Sequence, residues 1–407
     1  MYKKRLIEQA VTKASKTFPV IMLTGSRQAG KTTLLRTLEP SRQFVTLDDL
    51  QLRRYAKEDP KGFVNEFKPP IFIDEFQYAP DILPYIKIAV DEKRTKMQSA
   101  DGYFWLSGSQ NFKMMEHVQE SLAGRVAILQ MLGFGRPEID DSYKEFEKPP
   151  YFLAPIESRF ETSRNVNDIF EFIVRGDKPD MWTKPEMERN TFYSSYIQTY
   201  LERDVRNQLG VRELGLFEKF MRLLAARSAD LLNLAALASD VGVTQPTIAQ
   251  WLNVLERSYQ VFILRPYYRG HTKRYVKTPK AYFLDTGLLS YFLNISDAKT
   301  AASHHFNGKL FETWVISETI KSFWYRGLDA NLFFWRTRDG DEIDLLYEGA
   351  ELLPAEIKLA NSPSIDVISA AKKIKGIDVG IKRIICTTEK NAPLASDTML
   401  VSAWNLF

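Results

Sequence analysis

One eight-residue stretch carries the strongest chemical signal in the chain. Gly25-Ser26-Arg27-Gln28-Ala29-Gly30-Lys31-Thr32 keeps two glycines, a lysine and a hydroxyl at the spacing of a phosphate-cradling loop. Glycines let backbone N–H groups wrap an oxyanion, and a helix opening at the lysine adds its N-terminal dipole. In that arrangement Lys31 reaches the β- and γ-phosphates of a nucleoside triphosphate and Thr32 ligates Mg²⁺, with Thr33 next on the helix. The context the loop needs is present: an apolar run, Phe18–Leu23, before it and Leu34-Leu35 after it.

Phosphate binding alone hydrolyses nothing, so acids are required at a neighbouring strand tip. Pro70-Ile71-Phe72-Ile73-Asp74-Glu75 supplies them. Asp74 is placed to hold Mg²⁺ through water and Glu75 to orient or deprotonate the attacking water. Leu106-Ser107-Gly108-Ser109-Gln110 ends another apolar run in hydroxyls and an amide, where Ser109 or Gln110 can sense the γ-phosphate. Arg125, in Ser121-Leu122-Ala123-Gly124-Arg125, is a candidate for neutralising phosphate charge, in its own subunit or a neighbour's, and equally an ordinary salt-bridge partner.

Taken together, GSRQAGKTT (25–33), IFIDEFQ (71–77), LSGSQ (106–110) and ESLAGRV (120–126) resemble the AAA+ superfamily ATPases of a bacterial and archaeal branch. The likeness continues through Tyr196–Val205, Tyr282–Leu288 and the tail. It implies ATP and Mg²⁺ as cofactors, and a C-terminal domain of unknown function related to restriction endonucleases.

Two features of the C-terminal half fit that expectation. Asn233–Thr244 reads as helix, glycine turn and N-cap, followed by a helix from Gln245 to about Ser258 with Ile248, Trp251, Leu252 and Leu255 inward. Gln245, Thr247, Gln250 and Asn253 are left outward, the pattern of a helix-turn-helix. Between 265 and 280 stand Arg265, Arg269, Lys273, Arg274, Lys277 and Lys280 with no acid, as in a charged wing. Candidate DNA contacts are therefore Gln245, Thr247, Gln250, Lys273, Arg274 and Lys277. Winged helices also dock proteins. Further on, Asp344 and, twelve residues later, Glu356-Ile357-Lys358 place a carboxylate pair and a lysine on strands, with Glu312 on an upstream helix. Such a set can hold Mg²⁺ for phosphodiester attack. It resembles the PD-(D/E)XK nuclease core, and a structural salt bridge is the alternative.

The elements that position these groups follow from the patterning. Near-continuous apolar runs at 18–23, 43–47, 70–73 and 103–106 predict strands buried on both faces, alternating with helices. The predicted fold class is α/β: a parallel-sheet ATPase domain at 1–135, an irregular and helical lid or linker at 136–210, a winged-helix domain at 211–285 and a nuclease-like α/β domain at 286–407.

Composition bounds the rest. With 407 residues, 44% hydrophobic and 26% charged, the chain is an ordinary globular sequence of several domains. Net charge is only +4, so nucleic-acid affinity has to come from a local patch. No window is apolar enough to span a membrane, the N-terminus lacks a signal-peptide core, and Cys386 is the single cysteine, which points to a reducing cytoplasm and no membrane partner. The sequence leaves oligomerisation open without indicating it. Three functions fit: an ATP-driven enzyme coupled to a DNA-binding half, a nucleotide-gated docking module with little turnover, and a nuclease with a regulatory ATPase.

Overall fold

The computed structural model describes residues 2–96, 99–108, 118, 120–147, 149–153, 166–206, 213–268, 277–374 and 378–407. They fall into two units. The first comprises 1–134 together with two short returns of the chain, 257–259 and 324–328.

In the first unit, β1 (Val20–Gly25), β2 (Gln43–Thr46), β3 (Ile71–Asp74), β4 (Phe104–Gly108) and β5 (Val126–Met131) form a sheet in the order β2-β3-β4-β1-β5. Every pairing is parallel. Four strands fall where the apolar runs predicted them; β5 was not anticipated. β1, β3 and β4 are buried along their whole length, as sheets covered on both faces require. Met22, Ile73, Leu106 and Phe104 meet Ile86 and Val90 of the helix Leu83–Thr95 in one core. The strand order separates the loop-bearing β1 from the acid-bearing β3, with β4 between them. Its register puts Ser107 beside Asp74 on one side and Leu23 on the other.

The second unit comprises 135–256, 260–323 and 329–407. Its sheet is mixed and eight-stranded, built from β6 (Val261–Pro266), β7 (Lys280–Phe283), β8 (Leu332–Arg336), β9 (Glu342–Glu348), β10 (Leu352–Ile357), β11 (Lys382–Cys386), β12 (Ala392–Ala395) and β13 (Thr398–Ser402). The order is β12-β13-β11-β10-β9-β8-β6-β7. The sequence reading placed β6 and β7 in a separate domain ending at 285. They instead continue the C-terminal sheet, because β6 pairs in parallel with β8 (Arg265 opposite Phe333, Pro266 opposite Phe334).

Before β6 come the helices Leu234–Val241, capped by the Asn233 side chain and ended at Gly242 (φ +94°), and Gln245–Arg257, capped by Thr244. The helix Asn307–Trp324 is buried over most of its length. A chain of buried charges braces this unit. Lys178 lies 3.5 Å from Asp177 and 3.6 Å from Asp285, and Lys321 lies 3.3 Å from Asp177 and 2.8 Å from Glu318. Asp285 also caps the helix Thr286–Phe292, a structural role for the Tyr282–Leu288 stretch that carries part of the family likeness.

Candidate functional site

The loop Gly25–Thr32 joins β1 to the helix Lys31–Leu38, strand before and helix after. Gly25 is irreplaceable there: φ is +148°, and a Cβ would sit 1.7 Å from the Met131 carbonyl oxygen. Gly30 caps the helix in the left-handed region (φ +90°) and Gln28 lies there too at φ +55°. A non-glycine residue in that region is strained, and such strain collects at functional sites. The Lys31 ammonium is held at the loop, donating to the carbonyls of Gly25 (3.0 Å) and Ser26 (2.8 Å).

Across the sheet the Thr32 hydroxyl lies 3.0 Å from both carboxylate oxygens of Asp74, and Ser107 donates to Asp74 Oδ1. Burial pushes the Asp74 carboxyl above its ordinary value, against the pull of the Ser107 and Thr32 hydroxyls and of Lys31. Hydroxyl and carboxylate are hard oxygen donors, so Thr32 and Asp74 fit Mg²⁺. Glu75 follows at φ +55°, with Gln77 Nε2 donating to its Oε2. Burial raises its pKa as well, with Lys31 and Gln77 opposing. A carboxylate raised in this way is a better proton acceptor.

Sequence reasoning missed three supports of this site. Ser107 was quoted in its motif, but the sensing role was given to Ser109 and Gln110, which lie outside the described residues, as do Lys273 and Arg274. Arg5 was not singled out in the sequence. It is buried and donates to the carbonyls of Ala29 (2.6 Å), Leu132 (3.0 Å) and Gly133 (2.8 Å), fastening the phosphate loop to the end of β5. Tyr259 reaches Thr24, one residue before the loop.

Arg125 is a correction. It precedes β5 at the end level with Val20, whereas the loop leaves β1 at Gly25, opposite Met131. Five strand residues, about 17 Å, separate the two edges. The Arg125 guanidinium is engaged there by Asp91 through two bonds of 2.8 and 2.9 Å. It does not serve its own subunit's phosphate loop.

In the second unit, Glu312, Asp344, Glu356 and Lys358 do come together. Lys358 Nζ is 2.7 Å from Glu356 and 3.7 Å from Asp344. The Ile357 N–H donates to Asp344 Oδ2 (2.9 Å), and Tyr282 donates to Glu312 Oε1 (2.6 Å). Lys280, Tyr282 and Glu342 were not foreseen in this cluster. Glu342 was legible, two residues before Asp344 and so on the same strand face. Lys280 was counted as a wing charge; it is buried and bonded to Glu342 at 2.5 Å. Arg265, also counted there, pairs with Glu256 at 3.3 Å. Gln245, Gln250 and Lys277 are exposed and Thr247 partly so. Gln245, Asn253, Arg265 and Lys277 line a cleft of about 730 Å³.

Residues 17–139 match the family described as an AAA domain; 166–299 and 307–406 match two domains of unknown function, DUF8612 and DUF4143. Two mycobacterial proteins, uncharacterized protein Rv2008c of Mycobacterium tuberculosis and uncharacterized protein Mb2031c of Mycobacterium bovis, are each 30% identical over 394 residues, 95% of this chain and 80% of theirs. The chain belongs to the family of these two proteins. Its first unit is an AAA-type, ATPase-like domain. Solved structures similar to the chain include the Walker-type ATPase PABY2304 of Pyrococcus abyssi (12% identity, TM-score 0.44, 72% of this chain and 96% of that one). AMPPCP-bound DnaA from Aquifex aeolicus is another (12%, TM-score 0.25, 62% and 86%). Among the described residues no helix is long and apolar enough to cross a membrane.

Proposed function

We propose that the chain binds ATP with Mg²⁺ at the Gly25–Thr33 loop and hydrolyses it, and that turnover is coupled to DNA contact by the second unit. The observation that carries the reading is the convergence of Lys31, Thr32, Asp74, Ser107 and Glu75 on adjacent strand tips. Loop N–H groups and Lys31 bind the phosphates, and Thr32 and Asp74 would hold the metal. Mg²⁺, when bound, neutralises charge on the phosphate oxygens. Glu75, held by Gln77, orients the attacking water and accepts its proton.

For the coupling, the support is the exposed row Gln245, Gln250 and Asn253 on a helix that follows a short turn, with Lys277 at the same cleft. The reading takes these helices and β6–β7 as a winged helix. A second reading, nucleotide-gated docking with little turnover, is favoured by one observation: Arg125 is engaged by Asp91 away from the loop.

Phosphate release from ATP and Mg²⁺, with and without duplex DNA, tests both. Turnover that DNA stimulates and Glu75→Gln removes supports the first. Tight ATP binding without turnover selects the second. Turnover that survives in Lys31→Ala overturns the site.

A further inference from the structure

The acid cluster of the second unit resembles a divalent-metal nuclease centre, yet its carboxylates are already engaged by the chain itself. Glu342 Oε1 is 2.5 Å from Lys280 Nζ and Glu342 Oε2 is 2.6 Å from Arg336. Glu312 Oε1 takes the Tyr282 hydroxyl and lies 3.6 Å from Lys280. Asp344 Oδ2 accepts the Ile357 N–H and faces Lys358, which also pairs with Glu356 Oε1. Glu356 Oε2 in turn accepts the Asp344 N–H at 3.4 Å. Four carboxylates thus face three cations.

A divalent ion such as Mg²⁺ demands near-octahedral oxygens, and the one or two carboxylates that hold it must have oxygens to give it rather than to a resident cation. Among the described residues no group of three or more His, Cys, Asp or Glu is disposed to hold a metal ion. The residues present do not fit the metal that the nuclease resemblance implies.

We infer that Lys280 is the resident cation of this cluster, its ammonium standing between Glu312 and Glu342 so that the centre takes no divalent metal and cuts no nucleic acid. The consequence for the protein is a second unit that contacts its partner without cleaving it. Lys280 is suited to the task. It is almost wholly buried, its ammonium lies 5.6 Å from the centre of the Phe334 ring, and its neighbours Glu312, Asp344 and Glu342 outweigh the burial that would discharge it. A divalent ion would have to displace a buried, paired ammonium, and leaving a buried charge unpaired is strongly unfavourable.

The test uses the full chain without nucleotide, Mn²⁺ as the probe and bound Mn²⁺ as the readout, with thermal midpoint and plasmid nicking alongside. Wild type is expected to bind no Mn²⁺ that Asp344→Asn abolishes, to show no Mn²⁺-dependent midpoint shift that needs Asp344, and to leave plasmid intact. Lys280→Met is expected to lower the midpoint, gain about one equivalent of Mn²⁺ and recover part of the lost midpoint with it. Mn²⁺ bound by wild type and lost in Asp344→Asn overturns the inference, as does Lys280→Met that folds and still takes no Mn²⁺. Should Lys280→Met fail to fold, wild type against Asp344→Asn decides alone. ATP turnover in wild type is read separately, so failure here is distinguishable from failure of the ATPase reading.

Discussion

Tyr259 shares a 2.7 Å hydrogen bond with Thr24, the residue immediately before the first glycine of the phosphate loop. Tyr259 lies two residues beyond the helix Gln245–Arg257, sits at φ +57° and packs edge-on against Trp324. Burial pushes its phenol up to about 12, so at neutral pH it keeps its proton. Tyr259 belongs to the first unit, and the chain therefore steadies its nucleotide site with a residue that directly follows the outward-facing helix.

One hydrogen bond of this kind contributes about 1 kcal/mol. Tyr259→Phe is expected to weaken ATP binding about three- to tenfold. Thr24→Val should do the same, and the double variant should be no worse than either single one. Calorimetric titration of the three variants checks it; additive losses would show that the two residues act separately.

Ser107 fixes one oxygen of Asp74 from the intervening strand. Ser107→Ala should raise the Mg²⁺ concentration needed for half-maximal turnover and lower kcat about tenfold. The check is turnover against Mg²⁺ concentration, and an unchanged Mg²⁺ dependence would remove Ser107 from the site.

Gly25→Ala combines a forbidden φ with a collision against backbone, the Met131 carbonyl at 1.7 Å. The expected loss is about 3 kcal/mol or more in the first unit. Denaturation that matches wild type would contradict the close approach of β1 and β5.

The acid cluster predicts a pH dependence. Burial first and Asp344 second push Glu356 up to about 8 and Glu312 up to about 7, with Lys358 opposing at Glu356 and Lys280 and Tyr282 opposing at Glu312, while Glu342 adds to the upward push on Glu312. Between the ordinary carboxyl value of 4.5 and these raised values the folded chain holds protons that the unfolded chain has lost. The contribution of this cluster to stability is therefore fully present below about pH 4.5 and is lost as pH rises to about 8. Asp344→Asn removes the second cause and should flatten the slope. Urea midpoints across that range for both proteins check it; parallel slopes would count against it.

Much of the first unit was legible because its chemistry is local. Gly25–Thr32 and Asp74-Glu75 each declare themselves within eight residues, and buried strands write themselves as apolar runs. What stayed hidden arrives from a distance: Arg5 reaches Gly133 across 128 positions, and Tyr259 reaches Thr24 across 235. Lys280 was hidden differently. A run of charges suggests a solvated face, yet Lys277 is exposed and Lys280, three residues on, is buried against acids from a later helix and strand. Residue type alone does not separate those two lysines.

The β6–β8 pairing has a consequence for how this protein can be inherited. The two C-terminal family regions meet between 299 and 307, in the interval between β7 and β8 of one sheet. A gene break at that border would open the short seam where Arg265 and Pro266 of β6 lie opposite Phe333 and Phe334 of β8, leaving a new strand edge on each side. The two regions are separate as words in a sequence but share one folded sheet, so separating their genes would cut through it.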